Sequence, residues 1–246
     1  AALYEHSKNK HGGWAGTRQF KITNKQAESE LVTSFTLTPV DGEAVITHKP
    51  GQYLGIKVKP EGAEYEEIRQ YSISQKSNAK NYRISVKKEL QPKPGMVSNY
   101  LHSLEQGTIV ELYPPAGDFF LRNNTSPVVL ISAGVGQTPM LAMLETLLSD
   151  NSNQEIMYLH ACENNQQHSF SKYLYDLTAQ NNRLKTITWF NQAAGGADFT
   201  GLMNLSVIET QLPLSNGDFY LCGPVGFMAF IKNQLLELGV KDEQIH

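Results

Sequence analysis

Between residues 18 and 113 the chain alternates. In RQFKIT (18–23), TSFTLTPV (33–40), QYLGIKVK (52–59), IRQYSIS (68–74), YRISVKK (82–88) and TIVELY (108–113), apolar positions are interleaved with polar ones at a period near two. That is the pattern of short strands with one buried face. Asp41-Gly42, Pro50-Gly51, Pro60 with Gly62, Ser77-Asn78 and Pro94-Gly95 separate them as turns. Six such strands predict a small antiparallel barrel, with one short helix expected over MVSNYLHSL (96–104).

From Pro127 the period changes. PVVLIS (127–132) is a continuous apolar run of strand length, and Met140, Leu141, Met143, Leu144, Leu147 and Leu148 mark one face of a helix. The unit recurs. EIMYLHA (155–161) precedes SFSKYLYDLTAQ (169–180), LKTITWF (184–190) precedes a loop and NLSVIETQL (204–212), and DFYLCG (218–223) precedes PVGFMAFIKNQLLELG (224–239). Apolar strands alternating with helices predict a parallel sheet covered on both faces. The expected fold class is two-domain: a six-stranded antiparallel β-barrel over residues 17–122, then an α/β parallel-sheet domain over 123–246. The boundary is expected in the polar stretch LRNNTSP (121–127). The last helix should stop near Gly239, and the strand due after it is missing or only begun in VKDEQIH (240–246). At the front, AALYEHSKNK reads as the tail of a preceding helix and HGGWAG as a linker. Residues 1–16 and the short end together suggest a piece of a longer protein.

Composition narrows the chemistry. The 246 residues are 40% hydrophobic and 18% charged, with a formal net charge of −3, so no field favours nucleic acid or an anionic membrane. No apolar run approaches the roughly 20 residues that span a bilayer, and the front carries no signal-peptide apolar region. Cys162 and Cys222 are far apart, which suits a reducing cytoplasm rather than a disulfide framework. The seven histidines show no metal-ligand spacing, so no metal site is expected.

Three short stretches carry candidate chemistry. The strand ending at Ala133 runs into Gly134-Val135-Gly136-Gln137-Thr138-Pro139 and then a helix. Helix N-termini present unpaired N–H groups to anions, and glycine lets a ligand approach the backbone. Thr138 is the expected N-cap and Pro139 the first helical residue. The third glycine of the usual dinucleotide fingerprint is absent and there is no Gly-Lys-Ser/Thr; the plainer alternative is a tight turn with no ligand. The second stretch, Cys222-Gly223-Pro224-Val225-Gly226, ends a strand on the same carboxyl edge of the sheet, where open α/β sheets bind ligands. A packed core cysteine is the alternative there. The third is Arg69-Gln70-Tyr71-Ser72 on a barrel strand. The arginine can grip a phosphate, and the tyrosine two residues on shares its face and offers a ring to a flat ligand. A solvated arginine on an ordinary strand is the plainer alternative.

The order RQYS (69–72), GMVSNYL (95–101), PAGDFFL (115–121), AGVGQTPM (133–140), CGPVGFM (222–228) resembles the ferredoxin–NADP⁺ reductase-like superfamily. Within it the resemblance is to the reductase half of bacterial flavohemoproteins, the nitric oxide dioxygenases, and it covers nearly the whole chain. Even the front is similar, since a globin domain precedes the reductase in that family. The resemblance implies FAD in the barrel, with Arg69 on the pyrophosphate, Tyr71 on the isoalloxazine ring and Ser72 near flavin N5. Tyr53 matches a second flavin-contacting aromatic, Gln70 belongs to the same contact set, and Val97 and Ser98 lie by the pyrophosphate or ribityl chain. Gly134, Val135, Gly136, Gln137, Thr138 and Pro139 would cradle the dinucleotide pyrophosphate, with Cys222, Gly223 and Pro224 close to the nicotinamide. Tyr71, Ser72 and Cys222 form the implied catalytic set. A hydride passes from nicotinamide C4 to flavin N5, and single electrons leave for a haem held by the globin domain of the intact protein, in nitric oxide detoxification.

Family members continue into a last strand and an aromatic tail that lies on the flavin; this chain stops at His246. After the second strand of the nucleotide half stands Glu163, with no cation before Lys172. A carboxylate there suits a ribose diol and repels a phosphate, so NADH is expected over NADPH. His168 reads as a local contact or a surface histidine. Two competing readings keep the fold: a stand-alone flavin or ferredoxin-type reductase, and a non-catalytic nucleotide sensor. Two distant cysteines exclude an intrinsic four-cysteine iron–sulfur cluster.

Overall fold

The computed structural model describes residues 8–150, 152–192 and 195–246. The chain divides into two compact units, one made by Ala1–Leu121 with Leu141–Met143, the other by Arg122–Met140 and Leu144–His246. The helix tail expected over residues 1–10 lies outside the described residues as far as residue 7, and residues 8–10 are turn and bend rather than helix; turns and bends continue to residue 16.

In the first unit the alternating segments become β1 (Arg18–Ala27), β2 (Val32–Pro39), β3 (Tyr53–Val58), β4 (Glu67–Ser72), β5 (Tyr82–Lys87) and β6 (Ile109–Leu112), all paired antiparallel in the order β4-β3-β6-β1-β2-β5. A bridge between Ile73 and Ile84, and the Ser74 N–H donating to Arg83 O at 2.8 Å, tie β4 towards β5 and close the sheet into a barrel. Its inside is filled by the apolar half of each alternation, including Phe20, Ile22, Phe35, Leu54, Ile56 and Ile84, each at most 1% exposed. Helix α1 (Met96–Ser103) adds Val97 and Leu101 to this core. Trp14, read from sequence as linker, packs there too and donates its indole N–H to Leu112 O at 3.0 Å.

The second unit is a parallel sheet in the order β10-β9-β8-β7-β11. Its strands are β7 (Val128–Ala133), β8 (Ile156–Cys162), β9 (Leu184–Phe190), the two-residue β10 (Phe199–Thr200) and β11 (Asp218–Cys222). The helices are α2 (Gln137–Ser149), α3 (Ser171–Gln180) and α4 (Val225–Glu237). NLSVIETQL supplies a 3₁₀ turn over Leu205–Gln211, and β10 had no signal in the pattern. One face of the sheet, with Ile131, Leu159, Ile187, Trp189 and Leu221, builds a core with Ile231 and Leu235 of α4. After Gly239 the chain returns to the sheet: Ile245 bridges Phe219 in parallel, and the His246 N–H donates to Phe219 O at 2.8 Å. A sixth strand is thus begun beside β11. Among the described residues, no helix is long and apolar enough to cross a membrane.

Candidate functional site

In the barrel unit, register sets the candidate side chains. Leu54 lies opposite Tyr71, Ile56 opposite Arg69 and Tyr53 opposite Ser72, and cross-strand partners share a face. Arg69 and Tyr71 therefore project on the side of the core residues Leu54 and Ile56, but at a part of the strand that the core leaves open. Tyr71 is half-buried against the core. Burial pushes its phenol up to about 12, with Arg69 pulling it down and Glu89 pushing it up, so it is a neutral ring with charges of both signs nearby. Arg69 is 53% exposed and is engaged by a neighbour invisible to the family motif: it donates to Glu67 Oε2 at 2.7 Å and to Ile68 O at 2.9 Å. Gln70 is exposed and Ser72 half-buried. The Tyr53 ring lies over the backbone at Gly117, where an added Cβ would stand 2.8 Å from it.

The side chains of Val97 and Ser98 are engaged within the protein. Val97 is 4% exposed and points into the core. The Ser98 hydroxyl donates to Gly95 O at 3.2 Å and accepts from the Glu89 N–H at 3.2 Å. Their side chains are committed, which leaves the first-turn backbone N–H groups of α1, an end without a side-chain cap. An arginine, an uncapped helix start and two tyrosine rings in one unit form a donor and stacking set that fits a flat ligand carrying phosphates.

In the second unit the two glycine turns meet. A Cβ on Gly136 would stand 2.4 Å from Cys222 O and 2.8 Å from Gly223 Cα. Gly136 is therefore bare because the backbone ending β11 lies against it, and not to admit a ligand. Gly134 is the other kind of glycine. Its φ is +53°, and nothing lies within 4 Å of where its Cβ would be, so it takes a left-handed conformation beside open space. The Thr138 hydroxyl donates to Val135 O at 3.1 Å and the helix starts two residues earlier, with Gly136 at the cap position and Gln137 first. The expected Thr138 cap and the first-residue place for Pro139 are corrected accordingly. Gln137, Thr138 and Pro139 are buried, and Gln137 Oε1 finds no partner among the described residues.

A cavity of about 470 Å³ opens at this edge. Gly134 walls it from the first turn and Pro224 and Gly226 from the second, with Phe227 and Phe230 of α4 adding apolar surface. Val135 through Pro139, Cys222 and Gly223 stand outside its wall, whereas Glu163, Gln167 and Asn191 line it. Among the described residues lining it, Glu163 is the one that is charged. Its signal lay in the sequence as the carboxylate ending β8. Asn191, 28 positions on, carried none; it arrives because β8 and β9 pair in parallel up to Cys162 and Phe190.

The sheet's other face carries a polar rung, with Cys222 beside Ser132, Ser132 beside His160, and His160 beside Thr188. Ser132 Oγ and His160 Nδ1 are 2.9 Å apart. His168 stacks on His160, with ring centroids 5.5 Å apart and planes at 20°, and meets the Phe190 ring edge-on. His168 Nε2 is shut from solvent, so the surface alternative for this residue is corrected. Burial holds both imidazoles neutral, His160 down to about 3, with His168 adding to the effect. Burial also pushes the Cys222 thiol up to about 11, so at neutral pH it is an uncharged soft contact and not a nucleophile. A second cavity, about 240 Å³ and walled by His168, Thr188 and Asp198 among others, includes no residue of the two glycine turns.

The family description "Oxidoreductase FAD-binding domain" matches residues 19–121, and "Oxidoreductase NAD-binding domain" matches 130–233. The class so defined is the two-domain flavin-dependent NAD(P)H oxidoreductase. A flavohemoprotein of Vibrio cholerae serotype O1 is 48% identical over 248 residues, which cover 100% of this chain and 62% of that protein. The chain thus spans less than two thirds of the relative's length. The crystal structure of the flavohem-like FAD/NAD-binding domain of nitric oxide dioxygenase from Vibrio cholerae O1 biovar El Tor matches with a TM-score of 0.89 at 49% identity, over 93% of this chain and 96% of that one. Flavohemoglobin from Malassezia yamatoensis, solved with bound FAD and heme, matches with a TM-score of 0.83 at 25% identity, over 93% of this chain and 58% of that one. The chain belongs to the FAD/NAD-binding reductase family of the flavohemoproteins.

Proposed function

We propose that this chain takes reducing equivalents from NADH through FAD and delivers them to the haem of a globin domain in the intact protein, as the reductase part of a cytoplasmic nitric oxide dioxygenase. The observation that carries the nucleotide half is the cavity at the sheet's carboxyl edge. Two glycine-bearing turns wall it, its apolar surface suits a flat base, and Glu163 is the single charge among the described residues lining it. A dinucleotide whose ribose is unphosphorylated fits that field; a further phosphate meets a carboxylate and no lining cation.

Residues 17–122 are assigned to the flavin and 123–246 to the nicotinamide dinucleotide. Arg69 would hold the flavin pyrophosphate with the backbone starting α1 at Val97 and Ser98, while Tyr71 and Tyr53 would flank the ring system with Gln70 and Ser72 alongside. Gly134 and Val135 would meet the dinucleotide pyrophosphate. Gly136, Gln137, Thr138 and Pro139 act behind them by fixing the turn. Cys222, Gly223 and Pro224 would shape the nicotinamide end, the thiol neutral. Bound flavin supplies hydride acceptance at N5 and release of electrons one at a time. The protein's share is orientation and exclusion of water, so no general base is required of Tyr71, Ser72 or Cys222.

The test is direct. The chain is saturated with FAD, its stoichiometry measured, and the anaerobic sample titrated with NADH while absorbance near 450 nm is followed. Stoichiometric bleaching is expected. Full FAD loading with no bleaching would mark the chain as a nucleotide-binding module without hydride transfer.

A further inference from the structure

The Glu163 carboxylate is clamped. Asn191 Nδ2 donates to its Oε2 at 3.1 Å and Gln192 Nε2 to its Oε1 at 2.8 Å. The backbone beneath is zipped in the same register: the Asn191 N–H donates to Cys162 O at 3.0 Å and the Gln192 N–H to Glu163 O at 2.9 Å. Asn164 Nδ2 donates to Gln192 Oε1 at 3.4 Å. With its oxygen so engaged, the Gln192 amide presents its nitrogen to Glu163.

This arrangement has a particular chemistry. Each carboxylate oxygen receives one amide hydrogen and keeps acceptor capacity. The amides restrain the group without neutralising it, as a lysine or arginine would, so the full negative charge stays at the cavity wall. What remains on offer is a pair of adjacent acceptors at a fixed angle. Two neighbouring hydroxyls, each donating once, complement such a pair; a phosphate in place of one hydroxyl brings acceptors and negative charge.

We propose that Asn191 and Gln192 are positioning residues for nucleotide choice: by holding Glu163 they aim its carboxylate at the adenosine ribose diol and reject a 2′-phosphate. The proposal rests on the reading that this cavity takes the adenosine end of the dinucleotide. A freely rotating glutamate would swing away from a phosphate at little cost, whereas a clamped one must either stay or break two hydrogen bonds.

A thermodynamic cycle on the full chain tests it, with dissociation constants for NADH and NADPH measured by calorimetry. Glu163→Gln is expected to lower the ratio Kd(NADPH)/Kd(NADH) about tenfold or more, as for a hydrogen bond to a charged group. Asn191→Ala with Gln192→Met should lower it about three- to tenfold, and should change it less than about twofold when Glu163→Gln is already present. An unchanged ratio in Glu163→Gln overturns the placement of the ribose and the proposal with it. A ratio that responds to Glu163→Gln but not to the clamp variants overturns the proposal alone. Equal clamp effects with and without Glu163 point to general damage to the loop and also overturn it. If the double variant does not fold, Gln192→Met alone goes through the same cycle, and the same three results overturn the proposal.

Discussion

On β4 of the barrel, the residues assigned to the ligand are side chains that the fold leaves uncovered: Arg69 is 53% exposed, Gln70 is exposed, and Tyr71 and Ser72 are half-buried. At the β7–α2 turn of the parallel-sheet unit, four of the six assigned residues, Gly136 to Pro139, are buried. Only Gly134 of the six walls the cavity. The barrel thus attaches its chemistry to a finished scaffold, and its side chains can change without disturbing what lies beneath. The sheet makes its site from the packing of one strand end against another, so the site and the fold are the same set of contacts. Substitutions should therefore separate binding from stability in the first unit and confound them in the second.

The sharpest way to break that comparison is Gly136→Val. Its Cβ would meet the Cys222 carbonyl at 2.4 Å, a contact with backbone that no rotamer change relieves. A loss of about 3 kcal/mol or more is expected for the second unit, while flavin still binds the first. The two tryptophans make this measurable, since Trp14 belongs to the barrel core and Trp189 to the sheet core. In a Trp14→Phe background, urea unfolding followed by Trp189 fluorescence should shift to lower midpoints in Gly136→Val. An unshifted midpoint with weakened NADH binding would return Gly136 to the role of a simple ligand cradle.

The Gly-x-Gly turn was visible in the sequence, but the reasons for its two glycines were not. A turn motif says that a Cβ is unwelcome; only the partner strand says whether a ligand or the protein's own backbone excludes it. The strands were legible because alternation and continuous apolar runs report burial directly, and β10 escaped because two residues establish no period. Glu163 was legible from its place after β8. Its clamp was not, since Asn191 and Gln192 are polar residues after a strand and only the register of β8 on β9 brings them there. His168 sits in a polar stretch, NNQQHS, that reads as surface; it is half-buried because its ring packs between His160 and, 22 positions on, Phe190. The Arg69 partner was readable after all, since Glu67 is two positions away on one strand and therefore on the same face.

Arg69→Ala should weaken FAD binding by about 1.5–3 kcal/mol, the loss of a charge-assisted hydrogen bond. The Trp14 unfolding midpoint of the flavin-free chain should stay in place. A fall in that midpoint as large as the loss of affinity would erase the distinction drawn for the barrel.

Acid distinguishes the units by a different route. His160, held near 3 chiefly by burial, stays neutral in the folded sheet unit, and His168 is lowered by burial against the pull of Asp198. In the unfolded chain they titrate near 6.5. As pH falls below 6.5 the unfolded state takes up protons that the folded state refuses, so stability declines; between 6.5 and 5 His160 alone accounts for about 2 kcal/mol. In the barrel, His48, held near 4 by burial, and the lowered His102 act in the same direction. Burial raises the Glu28 carboxyl, however, so the folded barrel binds that proton first and gains stability as pH falls. The Trp189 midpoint should therefore drop more between pH 7 and pH 5 than the Trp14 midpoint. Equal drops would mean that Glu28 gives the barrel no offset against His48 and His102.

The smallest effect expected has the opposite sign. Glu67 occupies Arg69 at 2.7 Å, so an anionic ligand must compete with it for the guanidinium. An exposed ion pair contributes about 0–1 kcal/mol, and Glu67→Gln should strengthen FAD binding by up to about fivefold by fluorescence titration, more at low salt than at high. In combination with Arg69→Ala the gain should vanish, because the freed donor is gone. A gain that persists without Arg69 would mean that Glu67 acts through general repulsion of the flavin phosphates. Weaker binding in Glu67→Gln would mean that the carboxylate holds the guanidinium in its binding pose, making the pair one functional unit and bringing the barrel site closer in kind to the clamped Glu163 of the sheet.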